Sequence, residues 1–302
     1  MKYNFLQKPG SPLFTDRYFA KATTLFTEWS GEEVSGPILI GVPLSKPSIS
    51  HSGACFTPGT IRKVLGSYST YAVEEDVDLS ESIYVDFGDI EMHVTDVAES
   101  YLRIENSLSA IVEQHPDTKP IIVGVDHSIT YSTLKGITNA KPGKYGVIQF
   151  DAHHDLRNVE DGGPTNGTPF RRLMEKKVIS GEDIVQIGIR NYSNSKYYSD
   201  YAKENGITVF TMEDVRQLGM ENVIFQTINI LQEKVDFIYV SVDMDVLDQA
   251  YAPGCPAIGP GGLTSEQLLQ AVYMLSGVEK VRAIDIVEID PTIDFRDMTS
   301  RV

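Results

Sequence analysis

Three short stretches of this sequence concentrate groups able to hold cations: Asp126-His127-Ser128, Asp151-Ala152-His153-His154-Asp155, and Asp243-Met244-Asp245. In extended backbone, residues two apart point to one side. Asp151, His153 and Asp155 therefore share a face if the strand persists that far, and Asp243 and Asp245 share another. His154 points the opposite way and stays outside the set. Four carboxylates gathered in one place repel one another unless they are protonated or neutralised, and metal is the simplest neutralising charge. Six oxygen and imidazole ligands (His127, Asp151, His153, Asp155, Asp243 and Asp245) are too many for one closed zinc site and suit two divalent ions sharing carboxylates. The donor set fits Mn²⁺ better than a thiolate-seeking metal, since neither Cys55 nor Cys255 lies in these stretches. One Asp-x-Asp alone is ordinarily a cap or a solvated loop; the concurrence of three stretches carries the reading.

Each stretch directly follows a short apolar run, at 121–125, 146–150 and 237–242, and similar runs occupy 37–42, 83–86, 184–189, 207–210 and 281–287. Continuous β-branched runs bounded by turn residues predict strands buried on both faces. Between them, Tyr101, Ile104, Leu108, Ile111 and Val112 follow the helical period from Val97, and Thr264 with Gln267 predicts a capping box opening another helix. Strands alternating with helices predict one α/β domain over residues 1–302, with a mainly parallel eight-stranded sheet; an eight-stranded α/β barrel is the alternative. Both architectures put ligands at the carboxyl ends of the strands, where the three stretches stand.

The motifs together resemble the ureohydrolase superfamily of arginases, agmatinases and formimidoylglutamases. The resemblance rests on Gly124-Val125-Asp126-His127-Ser128, on Asp151-Ala152-His153-His154-Asp155, and on Ser241 to Asp248 (SVDMDVLD). Residues 53–62 (GACFTPGTIR), 86–89 (DFGD), 251–254 (YAPG), 261–264 (GGLT) and 285–288 (DIVE) extend it over most of the chain. It implies a three-layer α/β/α fold, two Mn²⁺ held by the six residues, and attack by a hydroxide bridging the ions. It implies His127, Asp151 and Asp245 or its neighbours on one ion, with His153, Asp155 and Asp243 among the rest. Glu288 corresponds to the carboxylate that holds a cationic amidine or guanidine, and a homo-oligomer is expected.

Two departures from the arginase and agmatinase pattern narrow the substrate. Those enzymes carry a His before Gly where this chain has Asn166-Gly167. Asparagine does not titrate near neutral pH, so proton delivery is expected to fall to Asp245, metal-bound water or another group. The aspartate motif continues as Asp155-Leu156-Arg157, which places an arginine to fork onto a carboxylate. Arg190 and Asn166 are the further substrate-contact candidates, whereas Arg171 and Arg172, at a predicted helix start, read as surface charges. Asp-Ala-His-x-Asp-Leu-Arg is similar to the formimidoylglutamase branch. That implies hydrolysis of the dicarboxylate amidine N-formimidoyl-L-glutamate to L-glutamate and formamide, a step of histidine degradation. The alternatives are a guanidino-substrate ureohydrolase of agmatinase or guanidinobutyrase type, and a catalytically silent metal-binding homologue.

Composition sets outer bounds. Asp plus Glu number 42 against 26 Lys plus Arg, for a net charge of −16, which argues against broad nucleic-acid binding and against anionic membranes. No apolar run approaches the roughly 18–20 residues of a membrane span. The N-terminal segment has no apolar h-region, so no signal peptide is read there. With both cysteines expected free, a cytoplasmic location is expected. A helix is expected to begin near Asp297 and, by the resemblance, to continue in family members beyond Val302.

Overall fold

The apolar runs form strands where their β-branched residues predict them. In the computed structural model, which describes residues 16–50 and 52–302, the first strands are β1 (Phe26–Glu28), β2 (Gly36–Gly41), β3 (Tyr71–Ala72), β4 (Val77–Asp78), β5 (Tyr84–Asp89) and β6 (Thr118–Val123). Then come β7 (Tyr145–Phe150), β8 (Ile184–Ile189), β9 (Thr208–Thr211), β10 (Phe237–Asp243) and β11 (Val281–Val287). Nine of them make one sheet in the order β1-β5-β2-β6-β11-β10-β7-β8-β9, while β3 and β4 pair separately. All pairings in the large sheet are parallel.

Eight of the nine are the strands expected. The ninth, β1, is a three-residue edge strand whose half-exposed Phe-Thr-Glu carries no apolar run to announce it. The sheet ends at β1 and β9 and does not close, so the barrel alternative is set aside. The N-terminal segment in which no signal peptide was read lies, through residue 15, outside the described residues.

Helices cover both faces. On one lie α2 (Val97–Gln114), α3 (Ile129–Ala140), α4 (Pro169–Glu175) and α5 (Lys196–Glu204); on the other lie α1 (Thr57–Val64), α6 (Met212–Leu218), α7 (Met220–Gln232) and α8 (Ser265–Ser276). Alternation along the strands feeds both cores. Val147 and Tyr239 join the α2/α3 side, while Ile148, Phe150, Ile238, Val240 and Val242 join the α7/α8 side. Each fully buried aliphatic or aromatic side chain contributes about 1.5–3 kcal/mol, so the central strands are the most firmly held part of the chain.

Local signals set the helix ends. Asp96 accepts from Glu99 N at the start of α2, and Thr264 with Gln267 forms the expected capping box of α8. The helix expected from Asp297 is instead a pair of 3₁₀ turns, Phe295–Asp297 and Thr299–Arg301, because Asp294 draws Thr299 N and Ser300 N back onto its carboxylate. Cys55 and Cys255 are free, and among the described residues no helix is long and apolar enough to cross a membrane.

Two of the outlying motifs prove to be one junction. Arg62 of α1 forks onto both oxygens of Asp86 at 2.6 and 2.8 Å and reaches Asp89 at 2.6 Å. Gly41 makes room for it, since a Cβ there would stand 1.9 Å from Asp89 Oδ1.

Candidate metal centre

The four strands at the middle of the sheet, β6, β11, β10 and β7, end side by side. Their carboxyl ends deliver His127, Glu288, Asp243 with Asp245, and Asp151 with His153 and Asp155. His127 Nδ1 lies 3.2 Å from Asp151 Oδ2, 2.9 Å from Asp155 Oδ2 and 3.2 Å from Asp243 Oδ2. His153 Nδ1 lies 2.9 Å from Asp245 Oδ2 and 3.4 Å from Asp151 Oδ1. The donors thus form two groups, His127/Asp151/Asp155/Asp243 and Asp151/His153/Asp245, with Asp151 giving one oxygen to each.

All six expected ligands converge, but their partition differs from the expectation. Asp155 and Asp243 go with His127, and Asp245 goes with His153. The backbone explains why. Asp155 takes a left-handed φ of 52°, so it leaves the extended face it was expected to share with His153. Asp245 sits in the 3₁₀ turn Met244–Val246, which turns it away from Asp243.

The donor chemistry fits divalent cations. Ser241 Oγ donates to Asp285 Oδ1 at 2.6 Å, so its oxygen accepts from His127 Nε2 at 2.9 Å. The proton of neutral His127 is therefore on Nε2, and the Nδ1 lone pair points at three carboxylate oxygens. Nδ1 is buried and has no hydrogen-bond partner. A lone pair facing carboxylates repels them unless a cation, a proton or a metal ion, stands between. Left to the protein's own charges, burial and the neighbouring Asp245 and Asp151 drive Asp243 well above the usual carboxylate range. Burial and Asp151 raise Asp155 to about 6. Burial works against charge on His127, but the carboxylates of Asp151, Asp155 and Asp243 around it outweigh that and raise the imidazole well above its ordinary value.

A cavity of about 230 Å³ opens above the groups, lined by His153, Asp155, Arg157, Asn166, Asp245 and Glu288 among others. Glu288, at a left-handed φ of 61°, accepts His127 N at 2.8 Å and Asn166 Nδ2 at 3.2 Å on Oε1. Its Oε2 is buried and unpartnered. Burial first, then the charge of Asp126, push its carboxyl up to about 8. The other end of the Asn166 amide accepts Ile49 N at 3.1 Å, so this residue braces Glu288 against the rim. Arg157 is exposed on the wall, with no ion pair among the described residues. Its aliphatic stem lies on Gly167, where a Cβ would come within 2.6 Å of Arg157 Cδ.

Arg190 does not join them. Its buried guanidinium donates to the carbonyl oxygens of Gly259 (2.7 Å), Leu247 (3.4 Å) and Asp245, and it does not line the cavity above the ligands. Nor is Arg172 a free surface charge: it lies 3.9 Å over the Tyr131 ring and 4.9 Å over Tyr101, while Arg171 pairs with Glu175 at 2.7 Å. His154 is buried away from the ligands, between Gln186 and Ser199. Sequence reasoning missed the residues that hold the ligands from behind: Gln149, Gln186, Ser241 and Asp285. A signal was present, since each is a polar residue with an apolar neighbour on either side within a strand.

The comparisons agree with this geometry. The sequence profile of the arginase family matches residues 36–302. The formimidoylglutamase of Bacillus subtilis (strain 168) is 52% identical over 99% of this chain and 93% of its own length; that of Halalkalibacterium halodurans is 54% identical with the same coverage. The crystal structure of the Bacillus subtilis formimidoylglutamase superposes with a TM-score of 0.95 over 98% of this chain and 92% of that one. An agmatinase of Bacillus subtilis is more distant, 31% identical over 90% of this chain and 89% of its own. The chain belongs to the arginase family.

Proposed function

We infer that the protein hydrolyses N-formimidoyl-L-glutamate to L-glutamate and formamide, with two Mn²⁺ ions held by the six ligands. The observation that carries the chemistry is the pairing, in one cavity, of an unpartnered buried carboxylate oxygen with an unpaired arginine. Glu288 Oε2 is built for a cationic N–H, and Arg157 is built for an anion. The proposed substrate has both features: an amidinium at one end and carboxylates at the other.

Divalent ions, where the two donor groups hold them, would supply a water of lowered pKa as nucleophile at neutral pH. The chain's residues do the rest. Glu288 orients the formimidoyl nitrogen, and Asn166, its amide spent on Glu288 and Ile49, keeps that carboxylate in place. Water adds to the formimidoyl carbon, and the bond from that carbon to the glutamate nitrogen breaks. The Asp245 carboxylate, at the cavity floor, passes the proton to the departing nitrogen, the role Asn166 is unable to fill. Arg157 neutralises a substrate carboxylate at the rim. The site is local, so the net charge of −16 does not bar an anionic substrate.

The test compares substrates on Mn²⁺-loaded protein. Formamide release from N-formimidoyl-L-glutamate, with no urea from agmatine or arginine, is the expected result; the reverse preference overturns the assignment. Metal bound without turnover of any amidine or guanidine would support the silent-homologue reading instead.

A further inference from the structure

Behind the ligands runs a line of buried polar side chains that the reaction itself does not use. Gln149 on β7 and Gln186 on β8 are register partners in adjacent strands, and both are fully buried. Gln149 Nε2 donates to Asp151 Oδ2 at 2.7 Å and to the His153 carbonyl at 3.2 Å. Gln186 Nε2 donates to Gln149 Oε1 at 2.6 Å and to the His154 carbonyl at 2.9 Å. His154 Nδ1 stands 2.6 Å from Gln186 Oε1, and its Nε2 stands 3.0 Å from Ser199 Oγ on α5.

The direction of this line follows from one end. An ionised ligand carboxylate only accepts, so the group of Gln149 against Asp151 must be its NH₂. Gln149 Oε1 then accepts, Gln186 is turned the same way, and Gln186 Oε1 requires a donor. His154 therefore carries its proton on Nδ1. No amide in the line can flip without opposing two carbonyl-type oxygens, at a cost that burial makes large.

Asp151 is the ligand common to both groups. Gln149 occupies one lone-pair direction of Oδ2, and His153 N, at 2.6 Å, occupies one of Oδ1. Each oxygen keeps one direction free, Oδ2 toward the His127 group and Oδ1 toward the His153 group. That arrangement suits sharing the carboxylate and disfavours spending both oxygens on one ion.

We propose that Gln149, Gln186 and His154 are positioning residues, forming a one-way hydrogen-bond line that holds Asp151 in its shared orientation and so sets the affinity of the two-ion centre. The proposal rests on the two-ion reading above. The line ends on α5, whose N-cap Ser195 and first-turn Tyr198 line the substrate cavity, so it also ties the cavity wall to the shared ligand.

The experiment uses the full chain loaded with Mn²⁺. Dissociation constants of the bound ions are measured by chelator competition, and the spin-coupled pair is followed by EPR, with circular dichroism to establish folding. Gln186→Glu is the decisive variant, because it is nearly isosteric, does not touch Asp151, and puts a carboxyl oxygen in place of the amide that donates to Gln149 Oε1. It is expected to weaken at least one ion about 10–100-fold, as loss of an outer-shell partner does, and to diminish the coupled EPR signal. Gln149→Leu is expected to do the same. His154→Asn, which keeps a donor near the Nδ1 position, stays close to wild type, whereas His154→Phe does not. A folded Gln186→Glu protein with unchanged ion affinities and EPR signal overturns the proposal. A wild-type chain that binds a single ion overturns the two-ion reading alone; the line is then judged by whether Gln186→Glu changes that ion's constant.

Discussion

Removing the Arg157 guanidinium gives the sharpest test of how substrate is recognised. The side chain is exposed and makes no ion pair among the described residues, so Arg157→Ala breaks nothing internal. Two unit charges 4 Å apart attract by about 1 kcal/mol in bulk water and about 4 kcal/mol near a protein surface. An exposed guanidinium sits toward the lower end, and about 1–2 kcal/mol of lost binding corresponds to roughly a 5–30-fold rise in KM. The contact is to a carboxylate remote from the bond that breaks, so kcat should stay within about threefold. Initial rates are compared on N-formimidoyl-L-glutamate and on an N-alkylformamidine without carboxylates, each on Mn²⁺-loaded protein. The effect should vanish for the second substrate, and for the first it should shrink as the Debye length falls from about 10 Å at 0.1 M salt to about 3 Å at 1 M. Arg157→Lys should recover part of the affinity, as a point charge without the fork. Equal losses on both substrates, or a fall in kcat at constant KM, would refute the role assigned to Arg157.

Other perturbations test the frame around the site. Arg190→Ala strands the carbonyls of Asp245, Leu247 and Gly259 and should cost about 2–4 kcal/mol of stability, read as a lower denaturant midpoint; a selective rise in substrate KM at unchanged stability would restore Arg190 to the substrate site. Gly41→Ala drives a methyl into Asp89 and should cost about 1–3 kcal/mol in thermal unfolding, unless the Arg62 junction is dispensable, in which case the melting curve stays put. Chelation should lower the melting temperature, since ions at 100 times their Kd stabilise by about 2.7 kcal/mol. The ligands bind ions in their deprotonated forms, so protons compete and Mn²⁺ affinity should fall as pH is lowered; titrations at several pH values that give one constant would contradict this.

The sequence made the strand ends legible because ligand types and a two-residue spacing survive in a linear reading. Asp151 and Asp243 stand at the ends of their strands as expected, while the backbone already bends at 152–153 on the way to His153. Their division into two donor groups was not legible, since it turns on the left-handed backbone at Asp155 and on a single 3₁₀ turn at Asp245. Both are local breaks in the period on which the reading depended. Arg190 illustrates a different limit: an arginine after a strand looks the same whether it meets a ligand or the chain's own carbonyls, and only the path of the 245–259 loop decides. β1 escaped because three half-exposed residues gain their strand geometry from β5 rather than from their own pattern.

The placement of β11 has a consequence for how the molecule comes into being. It follows all the other strands in sequence, yet it lies between β6 and β10, near the centre of the sheet. Two half-sheets, one drawn from residues 26–123 and the other from 145–243, each come from a contiguous piece of chain, and β11 is the zipper between them. Until it arrives, β6 and β10 are bare edges, and His127 belongs to one half while the aspartates it faces belong to the other. During synthesis this leaves an interval in which two sticky edges are open to wrong partners, and closure waits on pairings distant in sequence, which are slow to form. The His127 group is therefore complete only when the halves meet, whereas Asp151, His153 and Asp245 all come from one half.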